Sequence, residues 1–266
     1  MDLKGKTILL TGANGGIGSM LSKLLTAQGS KLVLCSLSRE SLEKLERDLA
    51  VSGNTNAHCV IEADIGSNED RKRIASECEA LGGIDVLINL AGVLDFSLFE
   101  EQSVDVIERT IGINLLAPML LCHELLPQLK QKEKAAILNV GSIFGSIGHP
   151  GFVAYCASKA GMKTFTEALS RELADTNIAV TYIAPRATAT ALNSDRVNDM
   201  NKALGNNTDT PDYVAREIVN HLQQDKTLSY LGWPEKIFVR LNALLPSVVH
   251  NALVKKLDLI KQFARS

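Results

Sequence analysis

Short β-rich runs alternate with helical stretches of ten or more residues along most of this chain, and that alternation constrains its fold more than any other feature. Residues 6–10 read as a strand, 20–28 as a helix ended by Gly29, 31–36 as a strand, 40–51 as a charged amphipathic helix and 58–62 as a strand. A helix over 69–81, ended by Gly82-Gly83, leads to a strand at 86–90 and a long helical region from about 103 to 132. The remaining elements are a strand at 137–140, a helix from Tyr155 to about Ala174, a strand at 179–183, a helix at 211–224 and a last strand at 228–231. Strands separated by helices of this length pair in parallel, in a sheet covered on both faces. No repeat, low-complexity segment or linker interrupts the pattern. The 266 residues, 45% of them hydrophobic, are therefore read as one α/β domain.

The first strand runs into TGANGGIGSM, a tight turn followed by a helix start. Gly12 allows the turn, Gly16 lets a pyrophosphate approach the backbone, and Gly18 lets the helix pack close to the sheet. The helix N-terminus then offers free N–H groups and a positive dipole end to phosphates. The spacing is G-x-x-x-G-x-G rather than the commoner G-x-G-x-x-G, so position after the first strand matters as much as the motif.

A second constellation lies between residues 141 and 159, which read GSIFGSIGHPGFVAYCASK. Tyr155 and Lys159 are four apart, one helical turn apart on one face. A phenol in water has a pKa of about 10, and a close ammonium typically lowers such a value by roughly 1–3 units. The pair is thus a candidate general acid/base, where an isolated pair of this kind is usually plain helix surface. Ser142 follows an apolar strand, at the sheet end where open α/β folds place their ligands, and is placed to face Tyr155 across a substrate carbonyl.

Formal net charge is −2, with no basic cluster interleaved with aromatics, which argues against nucleic acid as a partner. The five cysteines are scattered and form no C-x-x-C, which fits reduced thiols in a cytoplasmic protein. No histidines pair with cysteines or carboxylates at metal-ligand spacing, so no metal is expected. The N-terminus lacks a signal-peptide layout, and no uncharged apolar run reaches the ~18 residues of a membrane span.

TGANGGIG, Asp64, NLAG at 89–92, Asn114, Ser142 and Tyr155-x-x-x-Lys159 occur in the order of the short-chain dehydrogenase/reductase family, which the chain resembles over roughly residues 5–232. The resemblance implies a Rossmann-type doubly wound domain with a seven-stranded parallel sheet, and hydride transfer between NAD(P)(H) and a small-molecule carbonyl or alcohol. It implies that Tyr155 protonates the carbonyl oxygen and that Lys159 lowers its pKa and holds the nicotinamide ribose. Ser142 would bond the substrate oxygen, and Asn114 would hold a water in a proton relay behind Lys159. Asp64 and Ile65 match the adenine-binding pair, Asn89, Ala91 and Gly92 the ribose side, and Thr190 the carboxamide site. Asn14, Ile17, Pro185 and Thr188 complete the implied cofactor contacts. Leu90 replaces the asparagine of the usual NNAG, and Arg186 the glycine after Pro185. Arg186 is open to two readings, a cation near the cofactor or an exposed arginine, and His149 to a substrate contact or a plain loop position. The rival from another class is a non-catalytic dinucleotide-binding sensor or scaffold.

The end of the second strand carries Ser36 where an acid would mark NAD(H), and Arg39 stands three residues on. This favours NADP(H) while leaving NAD(H) open. Residues 233–266 extend beyond the family core, broken by Pro246 into two expected helices with an apolar stripe of Val249, Leu253, Leu257 and Ile260. They are read as a helical extension packing on this subunit or a partner, as a cap making the substrate site apolar, or as a basic amphipathic helix on a membrane surface. Leu94, Phe96, Ile143, Phe144 and Phe152 are the expected apolar lining. Family members usually associate through the two long helices here at about 103–132 and 152–174, which implies a homodimer or homotetramer.

Overall fold

The computed structural model describes residues 1–51 and 58–265. Its strands are β1 (Thr7–Thr11), β2 (Lys31–Ser36), β3 (Cys59–Glu62), β4 (Val86–Asn89), β5 (Ala135–Val140), β6 (Ile178–Ala184) and β7 (Leu228–Tyr230). They form one seven-stranded sheet in the order β3-β2-β1-β4-β5-β6-β7, parallel at every pairing. The helices are α1 (Gly16–Ala27), α2 (Arg39–Val51), α3 (Asn68–Ala80), α4 (Val104–Ile111), α5 (Ala117–Lys130) and α6 (Val153–Glu172). After β6 come α7 (Asp195–Leu204), α8 (Pro211–Gln223), α9 (Glu235–Leu244), α10 (Pro246–Val254) and α11 (Leu257–Ala264).

Alternation along each strand divides the core in two. Ile8, Leu10, Leu32, Leu34, Val86, Ile88 and Leu138 pack with residues of α1, α2 and α8 on one face. Leu9, Val33, Cys35, Leu87, Ile137 and Val180 pack with residues of α3 and α5 on the other. Both faces being covered is why these strands are apolar throughout rather than alternating with polar residues. The chain leaves β1 toward β2 and later returns to the other side of β1 as β4. That reversal opens a crevice at the carboxyl ends of β1 and β4, where doubly wound folds bind ligands.

Sequence expectation and structure differ where capping decides. The first helix begins at Gly16, not Met20, because the glycine loop itself supplies its first turn. The long helix expected at 103–132 is continuous but opens into a π turn at Gly112–Leu116. By length and composition this helix, Val104–Lys130, is apolar enough to cross a membrane; its Leu121, Cys122, Leu125 and Leu129 pack on the sheet. Helix α7 was not expected from the sequence. It is started by Ser194, whose side chain accepts from the Val197 N–H, and ended by Gly205 in the left-handed region at φ 69°.

Residues beyond Gly232 form three helices rather than two, with a second break at Lys255-Lys256. Val239 and Val249 join a cluster with Ile143, Ile147, Met162 and Tyr182. Ile260 and Ala264 join another with Phe96, Phe152, Val197 and Met200. The extension therefore packs on its own subunit, across the carboxyl end of the sheet. Arg196 fastens its end by donating to the carbonyls of Phe263, Ala264 and Arg265.

Candidate active site

The glycine loop is built for close approach. Gly12 has φ 68°, and a Cβ there would stand 2.9 Å from the Ala91 Cα. A Cβ on Gly18 would stand 2.2 Å from the Gly12 carbonyl oxygen, so α1 reaches the sheet only without one. Helix α1 has no side-chain cap and no acid in its first turn. Its amides thus face the crevice with nothing negative of their own, a cradle that fits a dinucleotide pyrophosphate. Thr190 lies against Gly16, where a Cβ would meet its methyl at 2.8 Å. Ser36 donates to Asn14 Oδ1 at 2.5 Å, linking the loop to the end of β2. Arg39 is exposed and held by Glu43 at 2.8 Å, one turn along α2. Asp64 Oδ1 accepts from Gly66 N–H, its own N–H donates to Asp70, and Ile65 is buried.

The NLAG segment is held by a residue that sequence reasoning missed. The buried Thr11 Oγ1 accepts from the N–H groups of both Leu90 and Ala91, each at 3.1 Å. Asn89 is turned into the sheet, where its Nδ2 donates to Asn139 Oδ1 at 2.8 Å and to the Cys122 thiol. Asn139 donates in turn to Thr166. The π turn carries Asn114, which grips Val93 with its Oδ1 accepting from the N–H and its Nδ2 donating to the carbonyl, both at 2.8 Å. The same Nδ2 donates to Ser158 at 3.2 Å, tying α6 to this point. Such single-turn widenings recur at functional sites.

Ser142, Tyr155 and Lys159 come together at one end of a cavity. The Ser142 backbone is clamped by the Tyr182 hydroxyl, which accepts from its N–H at 3.3 Å and donates to its carbonyl at 3.4 Å. The Tyr182 ring occupies the space a side chain at 141 would need, with ring atoms as near as 2.0 Å to a Cβ there. Tyr182 is a second positioning residue that the sequence analysis does not single out. Burial pushes the Tyr155 phenol up to about 12, opposed by the Ser142 hydroxyl. Burial pulls the Lys159 ammonium down to about 8. Lys159 Nζ donates to the Val140 carbonyl at 3.2 Å and lies 5.8 Å from the centre of the Tyr155 ring. Desolvation is the largest influence on the phenol and exceeds the opposing hydrogen bond of Ser142. Tyr155 therefore stands as a protonated donor at neutral pH.

The cavity has a volume of about 470 Å³ and is walled mostly by apolar side chains. Leu94, Phe144 and Phe152 come from the sheet end, Val197, Met200 and Leu204 from α7, and Phe238, Leu241, Val249 and Leu253 from the extension. Ile17, Gly92, Pro185, Thr188 and Thr190 line it on the glycine-loop side. The α7 wall could have been found from the Ser194 cap, the Gly205 stop and apolar residues at 197, 200 and 204. His149 also lines the cavity, and burial holds its imidazole below the usual range. Its Nδ1 faces the Pro150 carbonyl at 2.8 Å and must donate to it, which leaves Nε2 as an acceptor.

Arg186 is not an exposed arginine, and it lines the cavity beside Pro185 and Thr188. It is largely buried and pairs with Asp209 at 2.7 Å and Glu235 at 3.0 Å, while also donating to the Trp233 carbonyl. It joins the end of β6 to the loop before α8 and to the first turn of α9. The replacement of glycine here thus anchors the extension over the cavity.

The family model of the short chain dehydrogenases matches residues 6–201. The chain is 34% identical over 202 residues to nodulation protein G of Rhizobium sp. (strain N33), covering 76% of this chain and 80% of that one. It is 35% identical over 187 residues to the 3-oxoacyl-[acyl-carrier-protein] reductase FabG of Rickettsia typhi, covering 70% and 73%. A short chain dehydrogenase/reductase from Burkholderia phymatum, solved in complex with NAD, superposes with a TM-score of 0.84 at 20% identity, covering 93% and 96%. The chain belongs to the short chain dehydrogenase family and is an oxidoreductase.

Proposed function

We propose that this protein transfers a hydride between a nicotinamide dinucleotide, NADP(H) in preference to NAD(H), and an apolar ketone, aldehyde or secondary alcohol, with Tyr155 as the acid/base. The observation that carries the reading is the buried Tyr155 phenol beside Ser142, with Lys159 one turn away, all three opening on one apolar cavity. When bound, the nicotinamide supplies the hydride. The protein's own part is to hold the carbonyl oxygen with the Ser142 hydroxyl and to deliver the Tyr155 proton to it. The Lys159 ammonium favours the phenolate left behind. Asn114 holds α6 and residue 93 in register and, from the resemblance, a relay water behind Lys159.

The glycine loop with Gly12, Gly16 and Gly18 would hold the pyrophosphate, and Asp64 and Ile65 the adenine. Gly92, Pro185, Thr188, Thr190 and Lys159 would hold the nicotinamide half. For the adenosine ribose, Ser36, Asn14 and Arg39 offer hydroxyl, amide and guanidinium without the acid that would repel a 2′-phosphate. The Arg39–Glu43 pair is solvent-exposed, so releasing it costs at most about 1 kcal/mol. Arg39→Ala is expected to raise the NADP(H) dissociation constant several-fold and leave NAD(H) little changed, since a charge-assisted contact is typically worth ~1.5–3 kcal/mol. Fluorescence titration with both cofactors checks this, and equal effects would show that Arg39 does not read the phosphate.

Assembly through the long helix of α4, the π turn and α5, together with α6, is part of the proposal. Leu116, Leu120 and Val153 are exposed large apolar residues of this region, and Ala157 and Ala160 are exposed small ones that allow close helix approach. Light scattering would read a dimer or tetramer. The function itself is tested by a panel of apolar ketones and aldehydes with NADPH and NADH, followed at the nicotinamide absorbance. Turnover of medium or long apolar carbonyls is expected. Tight cofactor binding with no turnover on any compound would point to the non-catalytic alternative.

A further inference from the structure

The apolar stripe visible in the extension's sequence is not its free apolar surface. Val249 and Ile260 are buried in the protein. The exposed apolar residues are others: Trp233, Ile237, Leu244, Leu245, Val248 and Val254. Leu244 is 80% exposed at the turn between α9 and α10, where the two helices meet at a bend of 118°. A leucine pair followed by proline at the tip of a bent helix pair is costly to leave in water.

Charge is divided along the chain in the same place. Residues 233–266 carry six lysines and arginines against two acids, while residues 1–232 carry 22 against 28. One of the two acids, Glu235, is spent on Arg186. Lys236 lies 5.6 Å from the centre of the Trp233 ring, and Arg240 on α9 and Lys255 just after α10 are exposed. Tryptophan and leucine beside lysine and arginine is the chemistry of an interfacial helix on anionic lipid. The opposite faces of α9 and α10 stay on the protein through Val239, Val249 and the Asn242 bond to the Ser146 carbonyl. With one face of each helix held by the protein, the bent pair is arranged to lie along a surface rather than to cross a bilayer. Finally, Phe238 and Val248 are about half exposed and also line the cavity. The patch therefore adjoins the cavity that Tyr155 lines.

We propose that Trp233, α9 and the α9–α10 turn dock this protein on an anionic lipid bilayer, so that an apolar substrate passes from the membrane into the cavity. The purpose of the docking rests on the proposed carbonyl chemistry, but the docking does not, and its test needs no turnover. Trp233 is the chain's single tryptophan and sits in the patch, so its emission reports contact directly. The full chain is mixed with phosphatidylcholine vesicles with and without phosphatidylserine, at low and high salt, and then floated. With phosphatidylserine at low salt, the Trp233 emission should shift to the blue and the protein should float. Binding should fall about tenfold or more on neutral vesicles or in high salt.

The double variant Leu244→Glu/Leu245→Glu should cut binding at least tenfold while keeping the melting temperature and any turnover of a short soluble carbonyl. Should that variant fold poorly, Arg240→Glu/Lys255→Glu reads the same surface through its charge. No blue shift and no flotation on anionic vesicles would overturn the proposal, as would full flotation of both variants. A dimer that Leu244→Glu/Leu245→Glu dissociates, with neither form floating, would overturn it in favour of a second copy covering the patch.

Discussion

Tyr155→Phe is expected to lower kcat by roughly 10²–10⁴-fold while changing the cofactor dissociation constant less than about threefold, the range typical for loss of a positioned general acid. The ring itself is a packing element: it lies 6.5 Å from both Phe144 and Phe152, edge-on to each, and phenylalanine keeps those contacts. Only the hydroxyl is lost, and its protein partner is the Ser142 side chain. Ser142 keeps its place because Tyr182 holds its backbone and the Phe144 N–H donates to its Oγ at 3.1 Å. The melting temperature should therefore stay close to that of the parent. Stopped-flow and steady-state assays on the best substrate of the panel would decide, and a variant retaining a tenth or more of the parent kcat would remove Tyr155 from the proton-transfer role.

Lys159→Met should stabilise the protein at neutral pH and disable it. The Lys159 ammonium is fully buried with one carbonyl partner, and burial lowers its pKa from 10.5 to about 8. Between those values the unfolded chain binds more protons than the folded one, so this group makes stability rise as pH climbs from about 8 to 10.5. Below pH 8 the full cost of a buried charge is present, on the order of 3 kcal/mol at 1.36 kcal/mol per unit. Methionine fills similar space without the charge. For a chain of this size each kcal/mol moves Tm by roughly 2–4 °C. A gain of several degrees is expected at pH 7, shrinking toward zero near pH 10.5 as the parent lysine loses its proton. Activity should fall by about 10²-fold or more, because no cation remains to favour the Tyr155 phenolate. Calorimetry across pH measures the first effect; a Tm gap that is absent at pH 7, or that does not narrow with rising pH, would contradict it. Such a trade of stability for a strained, charged group is common at active sites.

The repeated strand–helix rhythm was legible because covering both faces of a parallel sheet requires apolar strands, and helices long enough to cross back. The glycine loop was legible because a Cβ at Gly12 or Gly18 collides with backbone, a local demand that one stretch of sequence displays. The Tyr155–Lys159 pairing was legible because helical spacing alone puts the two on one face. By contrast, the electrostatic balance between them was decided by the tertiary structure. Spacing suggests a lysine acting on a phenol, but desolvation depends on what surrounds each, and around Tyr155 it is Phe144, Phe152 and residues of α7. Thr11 and Tyr182 could not be singled out either, since each looks like an ordinary strand residue until the fold brings residues 90–91 or 142 against it. Arg186 is the plainest case. Its partners, Asp209 and Glu235, lie 23 and 49 residues away, so the link between sheet and extension exists only once the chain is folded. The same holds for the extension's surface: its sequence shows one apolar stripe, but packing buries Val249 and Ile260 and leaves Leu244 and Leu245 outside. Periodicity reports which residues share a face of a helix, and only the neighbouring elements determine which face meets the protein and which meets its surroundings.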